Sequence, residues 1–201
     1  MTGFSRLFTK FLMLSFLLTT GSLVAHAAGT DADHYYKFDK AHTQIIFFVD
    51  HLGFSKSEGE FLDFDGGFVF DPENPEDAKV HVIINANSVT MDDQKWTDHV
   101  KNADFFDVPT FPEIEFKSHS VSVLGDNFAE VTGDLTLLGV TKPVTLEVTY
   151  NKSGVHPYSK KFVAGFSATA SLKRSDFDMV YGLPGIGNEV EIRIEVEGIK
   201  Q

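Results

Sequence analysis

Val190-Glu191-Ile192-Arg193-Ile194-Glu195-Val196-Glu197 alternates apolar and charged residues over eight positions. Successive side chains of a strand point to opposite faces, so this octet predicts a β-strand with one buried and one solvated face. The same period recurs upstream. Val80, Val82, Ile84 and Ala86 alternate with Lys79, His81, Ile83 and Asn85, and Val144, Leu146 and Val148 alternate with Thr145, Glu147 and Thr149. Phe162, Ala164, Phe166, Ala168, Ala170 and Leu172 share one face of another strand, where large and small side chains suit a curved sheet whose interior leaves room. The remaining strands read as 43–52, 59–70, 113–124 and 128–138, with Gly66-Gly67 as a bulge or bend in the second. Turn-rich stretches at 71–75, 125–127, 139–143 and 151–157 separate the strands.

Residues 92–105 break the pattern, with Trp96, Val100 and Ala103 at helical spacing behind the cap candidates Thr90, Asp92 and Asp93. The chain therefore reads as all-β: eight antiparallel strands with one helix between the third and fourth. Such strands form either a closed up-and-down barrel or a two-sheet sandwich. Strands of ten or more residues extend about 33 Å, which favours a ligand-holding barrel, and closure also removes exposed edges.

The beginning of the chain belongs to no strand. Arg6 and Lys10 precede a short apolar run at 11–18, and Ala25-His26-Ala27 is a small-x-small cleavage site, so 1–27 reads as a secretory signal peptide and 28–201 as one domain. That domain carries 15 basic and 29 acidic side chains, 15 minus 29 giving a net charge of −14. A surface this acidic repels nucleic acid and anionic lipid headgroups. Without cysteine there is no disulfide framework, haem attachment or acylated anchor. The expected location is the periplasm or the exterior, with no integral membrane segment in the mature domain. Sixteen of the 20 Phe fall after residue 27; they fill strand cores or line an apolar cavity.

Chemistry is hard to find. His34, His42, His51, His81, His99, His119 and His156 show no HxH, HxxxH or HExxH spacing, so no metal site is expected unless the fold brings ligands together. Neither GxSxG nor SxxK is present to place a nucleophile. Acid pairs such as Asp63 with Asp65 or Glu113 with Glu115 recur on strand faces by composition alone. The glycines of Tyr181-Gly182-Leu183-Pro184-Gly185-Ile186-Gly187 precede a strand rather than a helix, so they form a connection or a lid, not a phosphate cradle. No catalytic residue and no cofactor is expected.

Several segments stand in order along the domain: Asp39-Lys40-Ala41-His42-Thr43 with Ile45, Phe47 and His51, then Gly59-Glu60-Phe61 and the segment 64–67. Phe105-Phe106-Asp107, Phe111-Pro112 and Phe116-Lys117-Ser118 follow, then Gly133-Asp134-Leu135-Thr136 with Gly139-Val140-Thr141-Lys142-Pro143-Val144, and last Arg174-Ser175-Asp176-Phe177. Together they resemble the YceI-like family of secreted lipid-binding or polyisoprenoid-binding proteins, the 133–144 stretch being similar to that family's central hallmark. Leu138 departs from the family's usual polar residue, and Asp178 stands where a Gly usually follows, a position that tolerates positive φ far better as Gly.

The resemblance implies a lipocalin-like barrel enclosing a polyisoprenoid or isoprenoid quinone, for carriage, storage or stress response. Burying one five-carbon unit contributes on the order of 3 to 4 kcal/mol gross, at about 0.8 kcal/mol per CH₂. The expected wall comprises Ile45, Phe47, Val49, Phe64, Phe68, Val82, Ile84, Phe116, Leu135, Leu137, Leu146, Val148, Phe166, Ala168, Ile192 and Ile194, each equally readable as core. His51 and Arg174 are candidates to touch a polar head group. Alternatively His51 is a loop histidine bonded to backbone and Arg174 pairs with an acid, while Ser175 and Asp176 cap a short turn. A barrel enzyme acting on a lipid-like substrate and a ligand-free stress or interaction module are the competing readings. The apolar ligand is the only partner implied; a homodimer and other protein partners are left open.

Overall fold

The computed structural model describes residues 31–201, so the expected signal segment 1–27 and the start of the domain at 28 lie outside the described residues. Eleven strands form one antiparallel sheet: β1 (Tyr35–Phe38), β2 (Gln44–His51), β3 (Ser55–Phe61), β4 (Phe64–Val69), β5 (Lys79–Asn85), β6 (Val89–Thr90), β7 (Glu113–Val123), β8 (Phe128–Leu137), β9 (Val140–Val155), β10 (Phe162–Lys173) and β11 (Ile186–Lys200). Strand β11 pairs with β10 along one edge. Along the other it pairs first with β2, Glu195 opposite Gln44, and then with β1, Tyr36 opposite Lys200. The ring closes through β1–β4 and β4–β5. Since β1/β2, β3/β4 and β5/β6 each occupy a single position around that ring, the result is an eight-stranded closed up-and-down barrel, as the alternation predicts.

Three barrel staves are jointed, the third at the turn Ala86–Ser88 between β5 and β6. The second expected strand breaks at Leu62 and Asp63, not at the glycines. Leu62 N donates to the Ser88 carbonyl and Asp63 N to Ser88 Oγ, while the Asp63 carbonyl accepts from Asn85 N, so these groups leave the ladder for the turn at Ala86–Ser88. Opposite this joint the first stave breaks between β1 and β2, and the Lys40 ammonium sits 2.9 Å from Asp63 Oδ1 across the two breaks.

Gly66 and Gly67 hold continuous register against β5, with no bulge. Their role is close approach: at Gly66, φ +122°, a Cβ would press into the His81 carbonyl oxygen, and at Gly67 into that of Tyr36. True bulges fall between Ser118 and Ser120, at Gly165/Phe166 and between Ile186 and Val190. Strand 144–149 is the middle of the 16-residue β9, Val140–Val155, so most of the turn-rich stretches 139–143 and 151–157 is strand, paired with β8 and β10 instead of turning.

Helix α1 (Gln94–Val100) lies between the third and fourth barrel positions but is shorter than 92–105. Asp93 caps it, accepting from Trp96 N at 3.0 Å. After His99 the chain turns on Asn102, whose carbonyl accepts from Phe105 N and Asp107 N, so Ala103 is not helical.

The interior divides lengthwise. At the end away from α1, Tyr36, Phe68, Phe70 and Ala164 are buried with half-buried Tyr150 and Phe166 against them. Tyr36 stacks on Phe68 at 5.1 Å, and Phe166 meets Phe68 and Phe70 edge-on at 5.3 and 5.0 Å. Toward α1, buried Ile45, Phe61, Phe64, Ile84, Phe116, Leu135, Val144 and Phe177 form the larger cluster. Fully burying a side chain such as Phe177 contributes roughly 1.5–3 kcal/mol.

Candidate functional site

Between these aromatic and aliphatic layers the barrel keeps a cavity of about 270 Å³. Apart from Thr43 and Arg174 every residue of its lining is apolar. The space runs from Phe70, Ala78 and Val80 at one end to Met91, Val100, Phe105, Met179 and Ile186 at the other. An engineered apolar cavity of about 150 Å³ stays dry and takes up benzene, so a space of this size and character suits hydrocarbon rather than water.

All sixteen apolar residues expected in the wall reach it: Ile45, Phe47 and Val49 from β2, Phe64 and Phe68 from β4, Val82 and Ile84 from β5, Phe116 from β7, Leu135 and Leu137 from β8, Leu146 and Val148 from β9, Phe166 and Ala168 from β10, and Ile192 and Ile194 from β11. Period-2 alternation finds them because inward positions of a closed barrel are the apolar ones. It misses Met91, Val100, Phe105, Phe106 and Met179, which reach the cavity from a helix and turns. Among them Phe106 stands edge-on to Phe47 and Phe61, with centroids 5.9 and 5.4 Å away.

The two polar candidates part company. His51 is not among the lining residues; at the end of β2 its ring lies 5.4 Å from the Trp96 indole. Arg174 does border the cavity and is only 2% exposed. Its guanidinium does not make the alternative acid pair: Nε donates to the Gly187 carbonyl at 2.7 Å, Nη1 to that of Met179 at 2.9 Å, and Nη2 to those of Tyr181 and Ile186 at 2.9 and 3.1 Å. Burial pushes its pKa down, yet an arginine keeps its charge in a protein. Arg174 thereby ties the glycine-rich connection 181–187 to the 3₁₀ turn Arg174–Phe177. Neither Ser175 nor Asp176 caps that turn; the Ser175 N–H is taken by Asn188 Oδ1, and Asp178 ends it at φ +61°.

Apolar residues are also exposed around the α1 end of the barrel. Leu52 and Phe54 at the β2–β3 tip, Trp96 on α1, and Val180 and Tyr181 on the loop before β11 all face solvent, Phe54 at 88%. Tyr181 bridges the two segments there, edge-on to His99 and Phe105 at 5.5 and 5.3 Å. Among the described residues no helix is long and apolar enough to cross a membrane.

A closed antiparallel barrel around an apolar chamber defines the class: this is a lipocalin-like barrel. Within that class the chain belongs to the YceI-like domain family, which matches residues 36–198. It is 43% identical over 193 residues to Protein YceI of Salmonella arizonae, covering 95% of this chain and 96% of that one. Among solved structures it is similar to Burkholderia cenocepacia BcnA, with a TM-score of 0.73 and 26% identity over 80% of this chain and 98% of the other. The polyisoprenoid binding domain from Saccharophagus degradans implicated in plant cell wall breakdown shares the fold, at a TM-score of 0.64 and 13% identity over 84% and 99% of the two chains.

Proposed function

We propose that the chain is exported to the periplasm and there holds an elongated apolar ligand, a polyisoprenoid or isoprenoid quinone, inside its barrel. The apolar cavity is the observation that carries this reading. Family membership supports it, as does the fold shared with a domain described as polyisoprenoid binding. The cavity volume is at the small end of ligand pockets, so a long chain must turn the ring side chains aside or leave its tail outside. The α1 end, ringed by exposed Leu52, Phe54, Trp96, Val180 and Tyr181, is the door. Arg174, with one Nη1 hydrogen beyond its four carbonyl bonds, is the polar contact for a head group, and His51 belongs to the rim. A wall without carboxylate or histidine favours holding a ligand over transforming it.

Native mass spectrometry with lipid extraction, on protein purified from its own periplasm without detergent, tests the reading. One isoprenoid lipid per chain is expected, and far less of it on Ala168→Phe, which narrows the cavity from β10. Saturating such a site at about 100 times its Kd raises stability by roughly 2.7 kcal/mol. Protein that is bare as isolated, and stays bare after incubation with prenyl lipids, overturns the proposal.

A further inference from the structure

Asp39, His42 and Glu197 are separated by up to 158 positions and carry no ligand spacing. The fold joins them on the barrel's outer face, where the chain leaves β1 and crosses the end of β11. Asp39 Oδ2 lies 2.9 Å from His42 Nδ1, and with the Glu197 carboxylate the donor atoms all lie within 4.8 Å of one another. The backbone under them is fixed. Asp39 N donates to the Glu197 carbonyl at 2.8 Å and His42 N to that of Asp39 at 3.1 Å; Thr43 Oγ1 donates to the Glu197 carbonyl at 3.3 Å and accepts from Glu197 N at 3.2 Å.

Beside the cluster runs a groove of about 280 Å³, separate from the barrel interior in character: His42, Lys152, His156, Glu195 and Glu197 line it. Its floor includes Gly165, where a Cβ would meet nothing nearer than 3.7 Å, so the surface is dented there. Glu195 is engaged by Ser167 Oγ at 2.6 Å and His156 Nδ1 by Ser159 N at 3.2 Å, which leaves Asp39, His42 and Glu197 as the group facing one another.

We propose that Asp39, His42 and Glu197 form a binding site for a divalent transition-metal ion of the zinc class, its remaining coordination positions open to solvent in the groove. One imidazole with two carboxylates is a zinc donor set, whereas calcium and magnesium prefer oxygen alone. Donors at about 2.0–2.2 Å from a tetrahedral zinc ion lie roughly 3.4 Å apart, so rotations of exposed side chains convert the present spacing into a coordination shell. The hydrogen bond to Asp39 and the charges of Asp39 and Glu197 hold the His42 pKa above its ordinary 6.5. A dication competes with a proton for the imidazole nitrogen, so affinity falls with falling pH. Lys161, whose charge acts on Asp39, and Lys152 oppose the metal, while Glu195 favours it.

The test is calorimetric titration of untagged, chelator-treated protein, residues 28–201, with Zn²⁺ above neutral pH, on wild type and on His42→Ala, Glu197→Gln and His81→Ala. The last removes a comparable exposed pair, His81 with Glu115 at 2.7 Å, away from the cluster. One ion per chain is expected, with affinity reduced about tenfold or more in His42→Ala and Glu197→Gln and unchanged in His81→Ala. Absence of saturable binding, or equal affinity in wild type and His42→Ala, overturns the proposal. If a cluster variant does not fold, the imidazole NMR signals of wild type decide: Zn²⁺ must shift those of His42 before those of His81 and His156, and any other order refutes the site.

Discussion

Arg174 shows how a residue's place can be legible when its protein partners are not. Its position at the start of Arg174-Ser175-Asp176-Phe177 puts it at the cavity, but its partners are four carbonyls contributed by residues 179–187. Main-chain carbonyls carry no residue-type signal, so nothing in the sequence announces them. Leaving buried acceptors unpaired costs about 1–3 kcal/mol each. Arg174→Met is therefore expected to lose on the order of 4 kcal/mol in urea denaturation, part of the loss being met by water, while Arg174→Lys recovers only part because one ammonium cannot reach all four acceptors. A loss below about 1 kcal/mol for Arg174→Met would contradict this role. Asp178 is more legible: the sequence reading raises positive φ at this position, and it adopts φ +61°. Leu138, read as the end of a strand, instead leaves β8 at φ +52°. Leu138 and Gly139 make a two-residue hairpin turn in which both residues have φ above zero, a geometry that asparagine and glycine adopt more easily than leucine.

At the scale of elements, alternation locates every long strand because each has one face toward the interior. It fails on Tyr35–Phe38, four residues being too short to show a period, and on the joint at Leu62, where bonding to Ser88 rather than local sequence ends the strand. The glycines invite the opposite error: a Gly-Gly pair reads as a defect in a strand, yet here it is what lets β4 lie between its neighbours. Gly66→Ala forces a side chain into the backbone of β5 at a φ that L-residues avoid. Strain and overpacking together amount to roughly 3 kcal/mol, expected as a lower denaturant midpoint with the slope unchanged. An unchanged midpoint would show that β4 yields freely. The cavity wall divides the same way. Its strand residues are legible in the sequence, and the share contributed by Met91, Phe105, Phe106 and Met179 is not, because turns have no period to read.

Over the whole molecule, acidity and the fold act against each other. The net charge of −14 over residues 28–201 favours solubility and strains the compact state. Burial pushes the Asp39 carboxyl up, but hydrogen bonds from His42 and Ala41 N outweigh it; Lys40 holds Asp63 down, and backbone N–H groups hold down Asp65 and Asp71. Lowered carboxyl pKa values contribute stability above about 3.8, lost as pH falls through the folded values. His42, raised, contributes below 6.5 and loses that contribution as pH rises through its folded value. The melting temperature should thus rise from pH 8 toward about 5 and drop below about 4. A steady fall from pH 8 downward would refute that balance. The ring-packed end of the barrel, with Tyr36 and Ala164 sealed from solvent, sets a rule of traffic. For the ligand proposed above, a vessel stoppered at its base has no through-flow: it would enter and leave by the one open end, last part in, first part out.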